Sequence, residues 1–141
     1  MRRITLILCL LILFLSVSCS IMPDRSNQKV SILSVGLDYK DNIYRDLDGT
    51  INDATEVGMA LKSIYDSKGI DCDLVYMIQK GYSVPYSDDM YPNKENVLRM
   101  IRSQSNTLDS DDLFIFYYAG HGQTGPAGEM FLAAGYDNTS Y

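Results

Sequence analysis

Residues 111–122, DDLFIFYYAGHG, constrain the fold of this chain more than any other segment. The run from Leu113 to Ala119 is apolar without alternation, which is typical of a strand covered on both faces, as in a parallel sheet between helices. His121, the only histidine, follows that strand between two glycines that permit unusual backbone angles and close approach by a ligand. Ligands of open α/β sheets bind beyond the carboxyl ends of the strands. We therefore predict that His121 performs acid–base chemistry there.

The size and charge of the chain limit its class. Its 141 residues, 46% of them apolar, fit one small globular domain. The formal net charge is −6; without residues 1–19, 18 acidic side chains face 10 basic ones, a net charge of −8. This balance gives no electrostatic reason to expect nucleic-acid binding.

The N-terminus has the pattern of a secretory signal over residues 1–19. Arg2 and Arg3 precede an apolar run, and a small-residue segment follows. The sequence SVSC, ending at Cys19, also resembles a bacterial lipoprotein cleavage box, in which Cys19 would be lipidated. An uncleaved membrane anchor is the alternative, which the serines weaken. We predict export to the periplasm or the exterior, with a membrane-anchored lipoprotein as one form, and a polar linker over residues 20–28.

The remaining cysteines do not form a disulfide framework. Cys9 lies within the predicted signal, so Cys72 stays alone apart from Cys19. Asp71 and Asp73 flank Cys72 with negative charge, which opposes thiolate formation. We interpret Cys72 as a structural residue of a strand.

From residue 29 onward, predicted strands alternate with predicted helices. The strands are expected at residues 29–37, 73–78, 113–119 and 129–134. The first helix begins at Asn52-Asp53 and the second at Pro92-Asn93. The apolar residues of the first helix recur at helical spacing: Val57, Ala60, Leu61, Ile64 and Tyr65. This order predicts an α/β fold with a mostly parallel sheet flanked by helices.

Four blocks of the sequence resemble the caspase-like cysteine peptidases of family C14, above all the metacaspase type. They are VGLDY, LDGTINDA, NKENV and FYYAGHG, which begin at residues 35, 47, 93 and 116. The likeness covers residues 29–138. It implies a caspase-like, flavodoxin-like sheet, with residues 29–141 as the N-terminal part of a peptidase domain that is incomplete at its C-terminus.

The resemblance implies proteolysis by a Cys–His dyad. His121 would be the general acid–base, and the backbone N–H of Gly122 would form part of the oxyanion hole. In caspases the cysteine lies roughly 50 residues after the histidine, whereas the 20 residues that follow His121 contain none. We expect the sequence to stop before the nucleophile, as a fragment or as a natural truncation. The alternative function is a non-catalytic exported α/β binding or scaffold protein.

The resemblance also bears on the polypeptide substrate. In metacaspase-type relatives the Asp of the N-D-A block lines the pocket for the side chain before the scissile bond. That residue is Asp53, and a buried carboxylate there would favour Arg or Lys. Asp53 is equally interpretable as a helix N-terminal acid. Leu47 stands where true caspases carry an arginine, which argues against aspartate preference, and Ala119 replaces a frequent serine.

Some metacaspase-type enzymes need calcium, so the resemblance raises calcium as a cofactor. The resemblance would put Asp137 near such a site, and the acidic pairs Asp88-Asp89 and Asp111-Asp112 are the other candidates. None of these stretches has the regular ligand spacing of a calcium loop. We interpret these acids as solvated loop and cap residues and predict no metal site.

Overall fold

The computed structural model describes residues 27–41, 45–124 and 130–132. The predicted signal with Cys19, most of the linker and Asp137 lie outside these residues. A parallel sheet has the strand order β2-β1-β3. Its strands are β1 (Lys29–Leu37), β2 (Asp71–Gln79) and β3 (Leu113–Ala119).

Two helices connect the strands. Helix α1 (Thr50–Asp66) joins β1 to β2, and α2 (Lys94–Ser105) joins β2 to β3. A separate antiparallel hairpin consists of β4 (Gly122–Thr124) and β5 (Met130–Leu132). The described residues thus form the predicted α/β fold, with a parallel sheet flanked by helices. No helix in these residues is long and apolar enough to cross a membrane.

Strand β1 is the centre of the fold and is buried along its length after Lys29. Alternate residues point to opposite faces of the sheet. Leu33, Val35 and Leu37 pack on the face that α2 covers, whereas Val30 and Ile32 pack on the face that α1 covers. The crossover from β1 to β2 and the crossover from β2 to β3 run in opposite directions across the sheet, and right-handed connections then place their helices on opposite faces.

The prediction that β3 is buried on both faces is wrong. Leu113 and Phe116 are each 37% exposed, and among the described residues β3 pairs with β1 alone. Strand β1 is the buried strand although it contains two serines, and Ser34 is accommodated by donating its hydroxyl to the Ala54 carbonyl at 2.6 Å. Among the described residues, therefore, the uninterrupted apolar run is not the most deeply buried strand.

Helix α1 starts earlier than predicted, and its inward face is only partly the predicted one, since Leu61 and Tyr65 pack against the core. It begins at Thr50, two residues before the predicted start, after the N-cap Gly49, which has φ of 100°. Ala54 and Gly58 are its buried residues, whereas Ile64 is 47% exposed. A Cβ on Gly58 would lie 2.9 Å from the Tyr76 ring. Small residues therefore set the contact face, because they permit the closest approach of the helix to the sheet.

The other elements follow the predictions more closely. Helix α2 begins after Asn93, as predicted, and the Asn93 side chain accepts the backbone N–H of Asn96 at 2.8 Å. Strand β2 begins two residues before its predicted start. Strand β4 does not correspond to any of the predicted strands. Strand β5 lies within the predicted strand 129–134.

Candidate active site

The carboxyl ends of the three parallel strands meet at one edge of the sheet. The chain order reverses across β1, which creates a crevice beyond the ends of β1 and β3. Tyr39 lies two residues after β1 ends, and His121 lies two residues after β3 ends. The structure therefore brings these two side chains together in the crevice.

The imidazole of His121 is oriented by a backbone carbonyl. Its Nε2 lies 2.6 Å from the carbonyl oxygen of Arg45. Because a carbonyl oxygen only accepts hydrogen bonds, the tautomer that fits this contact carries its proton on Nε2. The lone pair of the neutral ring then lies on Nδ1, which is the nitrogen able to take a proton from a neighbouring group.

The polypeptide around Arg45 is tied to the end of β2. The buried carboxylate of Asp38 accepts the backbone N–H of Gly81 at 2.9 Å. The Asp38 carbonyl accepts the backbone N–H of Leu47 at 3.0 Å, just beyond Arg45. Asp41 accepts the side-chain amide of Gln79 at 2.7 Å. These bonds hold the segment that presents the Arg45 carbonyl.

A pair of tyrosines lies against His121. The Tyr39 and His121 ring centroids are 4.6 Å apart at an interplanar angle of 43°. The Tyr39 hydroxyl accepts the His121 backbone N–H at 2.8 Å and contacts the Tyr118 hydroxyl at 2.6 Å. The Tyr118 hydroxyl donates to the His121 carbonyl at 3.0 Å. Tyr39 is fully buried and has φ of 60°, which is rare for a bulky residue.

The glycine before the histidine makes room for these hydroxyls. A Cβ on Gly120 would lie 2.5 Å from the hydroxyl oxygen of Tyr39 and equally close to that of Tyr118. The φ of Gly120 lies outside the left-handed region. A close approach at Gly120 was predicted, and the structure has one. The groups that approach are the two tyrosine hydroxyls and not the expected ligand. Gly122 is exposed at the start of β4, opposite Leu132.

Asp53 lies in the first turn of α1, and its side chain is exposed. The expected buried carboxylate is therefore wrong for this structure, and the position fits a helix N-terminal acid. The Thr50 hydroxyl ties the start of α1 to the last residue of β1 by donating to the Leu37 carbonyl at 2.7 Å. Asp53 consequently belongs to the same edge of the sheet as His121.

Cys72 lies at the other end of the sheet. It pairs with Val30 near the start of β1, whereas Ala119 pairs with Gly36 near its end. Six residues of strand separate the two levels, about 20 Å. The side chain is 4% exposed, and burial is the main cause that raises the pKa of its thiol, with smaller contributions from neighbouring aspartates. Cys72 therefore cannot act on the same substrate atom as His121.

The acidic pairs considered for calcium have local roles. Asp88 accepts the backbone N–H of Met90 at 2.7 Å, and Asp89 forms an ion pair with Arg99 at 3.0 Å. Asp112 accepts the backbone N–H groups of Lys29 and Asp109 at 2.7 and 2.8 Å. In the part of the chain that the structure describes, no group of three or more metal-ligating side chains comes together.

A comparison with protein-family models matched residues 31–141 to the metacaspase, peptidase C14 domain. The chain belongs to the metacaspase peptidase C14 family. Comparisons with curated proteins and with solved structures found no match. The family match covers every strand and helix described above except the first two residues of β1.

In this metacaspase-family chain, reasoning from sequence singled out His121 but missed three residues around it. Arg45 contributes a backbone carbonyl, so its side-chain identity carries no signal. Tyr39 and Tyr118 lie in the VGLDY and FYYAGHG blocks, where they read as ordinary core aromatics. Only its left-handed backbone conformation distinguishes Tyr39 from an ordinary core tyrosine, and the residue type does not predict that conformation.

Proposed function

We propose that residues 29–141 form the histidine-bearing part of a caspase-like cysteine endopeptidase, with His121 as its acid–base. The contact between His121 Nε2 and the Arg45 carbonyl carries this proposal. It supports an imidazole in which a third group holds one nitrogen and the other nitrogen, here Nδ1, acts as the base; cysteine and serine hydrolases activate their nucleophiles by this division of roles. The competing function is a non-catalytic binding or scaffold protein.

In the proposed reaction, Nδ1 of His121 takes the proton from a cysteine thiol. The thiolate attacks the carbonyl carbon of the peptide bond, and a carbon–sulfur bond forms. The carbonyl oxygen becomes an oxyanion, for which the backbone N–H of Gly122 is our proposed donor. The proton on Nδ1 passes to the leaving amine as the carbon–nitrogen bond breaks. Nδ1 then takes a proton from the water that attacks the acyl carbon, the carbon–sulfur bond breaks, and this proton returns to the sulfur as the carboxylic acid leaves. Cys72 does not supply the thiol, because it lies at the opposite end of the sheet.

For the substrate, we propose a side chain of Arg or Lys before the scissile bond, recognised by Asp53. The support is the position of Asp53 at the start of α1, next to the end of β1. An exposed carboxylate is available to a guanidinium or ammonium group, and a charge-assisted hydrogen bond discriminates against acidic and neutral side chains. The leucine at position 47 supplies no charge that would attract an aspartate.

Peptidase assays of the gene product expressed from its own locus test this function. Reporter peptides ending in Arg, Lys or Asp are compared for the unaltered protein, His121→Gln, and Tyr76→Phe as a control distant from the site. Cleavage after Arg or Lys that disappears only in His121→Gln supports the proposal. Absence of peptidase activity in the unaltered protein favours the scaffold function.

The 141-residue chain by itself is a second test. We expect it to be inactive on the same peptides, because the thiol of Cys72 is remote from His121 and is not activated. Peptide cleavage by this chain that is abolished in Cys72→Ser contradicts the placement of the two residues at opposite ends of the sheet.

We also propose that residues 1–19 direct export and that Cys19 is lipidated. The support is the charged, apolar and small-residue order of the segment. A fusion of residues 1–25 to a periplasmic reporter tests export, with Arg2 and Arg3 changed to Glu as the control. Incorporation of labelled fatty acid into the fusion but not into its Cys19→Ser variant tests lipidation. A reporter that stays cytosolic contradicts the first proposal, and equal labelling contradicts the second.

A further inference from the structure

We propose that Tyr39 and Tyr118 are positioning residues for His121, and that their hydroxyls act as one unit on its backbone. The two hydroxyl oxygens are 2.6 Å apart. Tyr39 accepts the His121 N–H at 2.8 Å, and Tyr118 donates to the His121 carbonyl at 3.0 Å. One pair of phenols therefore binds both backbone polar groups of the histidine.

The hydrogens of these three hydrogen bonds can be assigned without conflict. The carbonyl oxygen of His121 only accepts, so the Tyr118 hydrogen points to it. The Tyr118 oxygen can then accept the hydrogen of Tyr39, and the Tyr39 oxygen accepts the backbone N–H of His121. Each hydroxyl is both donor and acceptor, and hydrogen bonds in such a chain strengthen one another. Loss of either hydroxyl therefore weakens the contact of the other.

The tyrosine pair and the Arg45 carbonyl constrain different parts of His121. Arg45 holds Nε2 of the ring, the Tyr39 ring lies against the imidazole, and the hydroxyls hold the backbone. Contacts at both ends of a side chain restrict its rotamer more than contacts at one end. The pair thereby fixes the direction in which Nδ1 points, which is the requirement for a positioned acid–base.

Two unusual local features are explained by this role. Tyr39 adopts φ of 60° while fully buried, which is a strained conformation for a bulky residue. Gly120 has no side chain where a Cβ would lie 2.5 Å from both hydroxyl oxygens. Filling of the core alone would require rings at positions 39 and 118 but no hydroxyls.

The catalytic meaning of this proposal rests on the proposed function of His121, but its test does not require peptidase activity. His121 is the only histidine, so its signals are unambiguous when histidine is isotope-labelled. The full chain, in a mild detergent because its first residues are apolar, is studied by NMR as Tyr39→Phe and Tyr118→Phe. The matched control is Tyr76→Phe, which removes a hydroxyl that donates to the Thr55 carbonyl at 3.0 Å in α1.

Two quantities are measured in each variant: hydrogen exchange of the His121 amide relative to that of Leu33 in β1, and the number and width of the imidazole resonances. In Tyr39→Phe the amide should exchange about tenfold faster, the loss expected for one hydrogen bond, and the imidazole resonances should broaden or double. Tyr118→Phe should also broaden or double the imidazole resonances. Tyr76→Phe should change neither quantity.

The proposal is overturned if His121 keeps its amide exchange and its single set of ring resonances in both site variants, or if Tyr76→Phe alters them as much. If Tyr39→Phe does not fold, Tyr118→Phe decides by the imidazole resonances: a single sharp set in this variant overturns the proposal. A double variant that exceeds the sum of the two single variants contradicts the claim that the hydroxyls act as one unit, because either loss should already disable the pair. Absence of peptidase activity overturns the proposed function and leaves these signals unaffected.

Discussion

Gly120→Ala is the most informative single substitution at the candidate site. The added Cβ would lie 2.5 Å from each tyrosine hydroxyl oxygen and 2.8 Å from Cζ of Tyr118. Ordinary van der Waals contact begins near 3.4 Å, so each oxygen has to move by about 0.9 Å, the difference between the two distances. Both hydroxyls lie in hydrogen bonds that such a displacement breaks.

The expected cost follows from these contacts. Overpacking costs about 1–3 kcal/mol, and each buried hydrogen bond that is lost costs about 1 kcal/mol. We therefore expect Gly120→Ala to lower the free energy of unfolding by about 2–5 kcal/mol. This is a large fraction of the roughly 5–15 kcal/mol that stabilises a typical domain.

The assay is urea unfolding followed by tyrosine fluorescence, since the chain has 11 tyrosines and no tryptophan. Gly69→Ala is the matched control: Gly69 has φ of +70° and nothing within 4 Å of the added Cβ. It therefore measures backbone strain alone, about 1–2 kcal/mol. In a Tyr39→Phe background, Gly120→Ala should cost less, because one of the two obstructing oxygens is gone.

The reasoning is refuted if Gly120→Ala costs no more than Gly69→Ala. It is also refuted if the cost of Gly120→Ala is the same with and without the Tyr39 hydroxyl. Either result would mean that the two hydroxyls do not crowd Gly120 in solution.

Three further predictions follow from single residues. Backbone N–H groups hold the pKa of Asp112 below its ordinary value. The stability that its carboxylate contributes is therefore present above about pH 4 and is lost as pH falls through the lower folded pKa. Asp112→Asn should make the free energy of unfolding fall less steeply below about pH 4, and an unchanged slope contradicts this. Burial raises the pKa of Cys72, so iodoacetamide should alkylate it slowly in the folded chain and rapidly in urea; rapid alkylation without urea contradicts the buried placement. In the active gene product, Asp53→Asn should lower kcat/KM for Arg and Lys peptides by about tenfold to a hundredfold. The free energy of unfolding should change by less than about 1 kcal/mol. A kcat/KM equal to that of the unaltered protein excludes Asp53 from the substrate pocket.

Sequence patterns were sufficient for the order of the three parallel strands and two helices and for the position of His121 after β3, but not for strand β4. The alternation of apolar strands with helical spacing predicted the parallel sheet, because strand and helix periodicities are local properties. The predicted burial of β3 was wrong and the predicted inward face of α1 was right only in part, at Leu61 and Tyr65, because neighbours distant in sequence decide both. Gly58 illustrates the reason. A glycine does not contribute to an apolar pattern, yet the absence of a Cβ at this position allows α1 to pack closely against Tyr76.

The site shows the same division between local and non-local information. His121 is recognisable because a histidine between glycines after an apolar strand is unusual. The Arg45 carbonyl is a backbone group 76 residues away, and the Tyr39 hydroxyl is 82 residues away. Neither contact can be read from a sequence pattern, because each depends on how two loops meet at the edge of the sheet.

Tyr39 combines a strained backbone with a contact at the candidate site. Its φ of 60° departs from the extended conformation of β1, which ends two residues earlier at Leu37, and its ring packs against that of His121. Such a conformation costs about 1–3 kcal/mol, whereas full burial of a large aromatic ring contributes about 1.5–3 kcal/mol. The strain is thus offset by burial, and the hydrogen bond to His121 adds to the stabilising side. Because glycine would relieve the strain but lose both contacts, position 39 links the stability of the sheet edge to the geometry of the histidine.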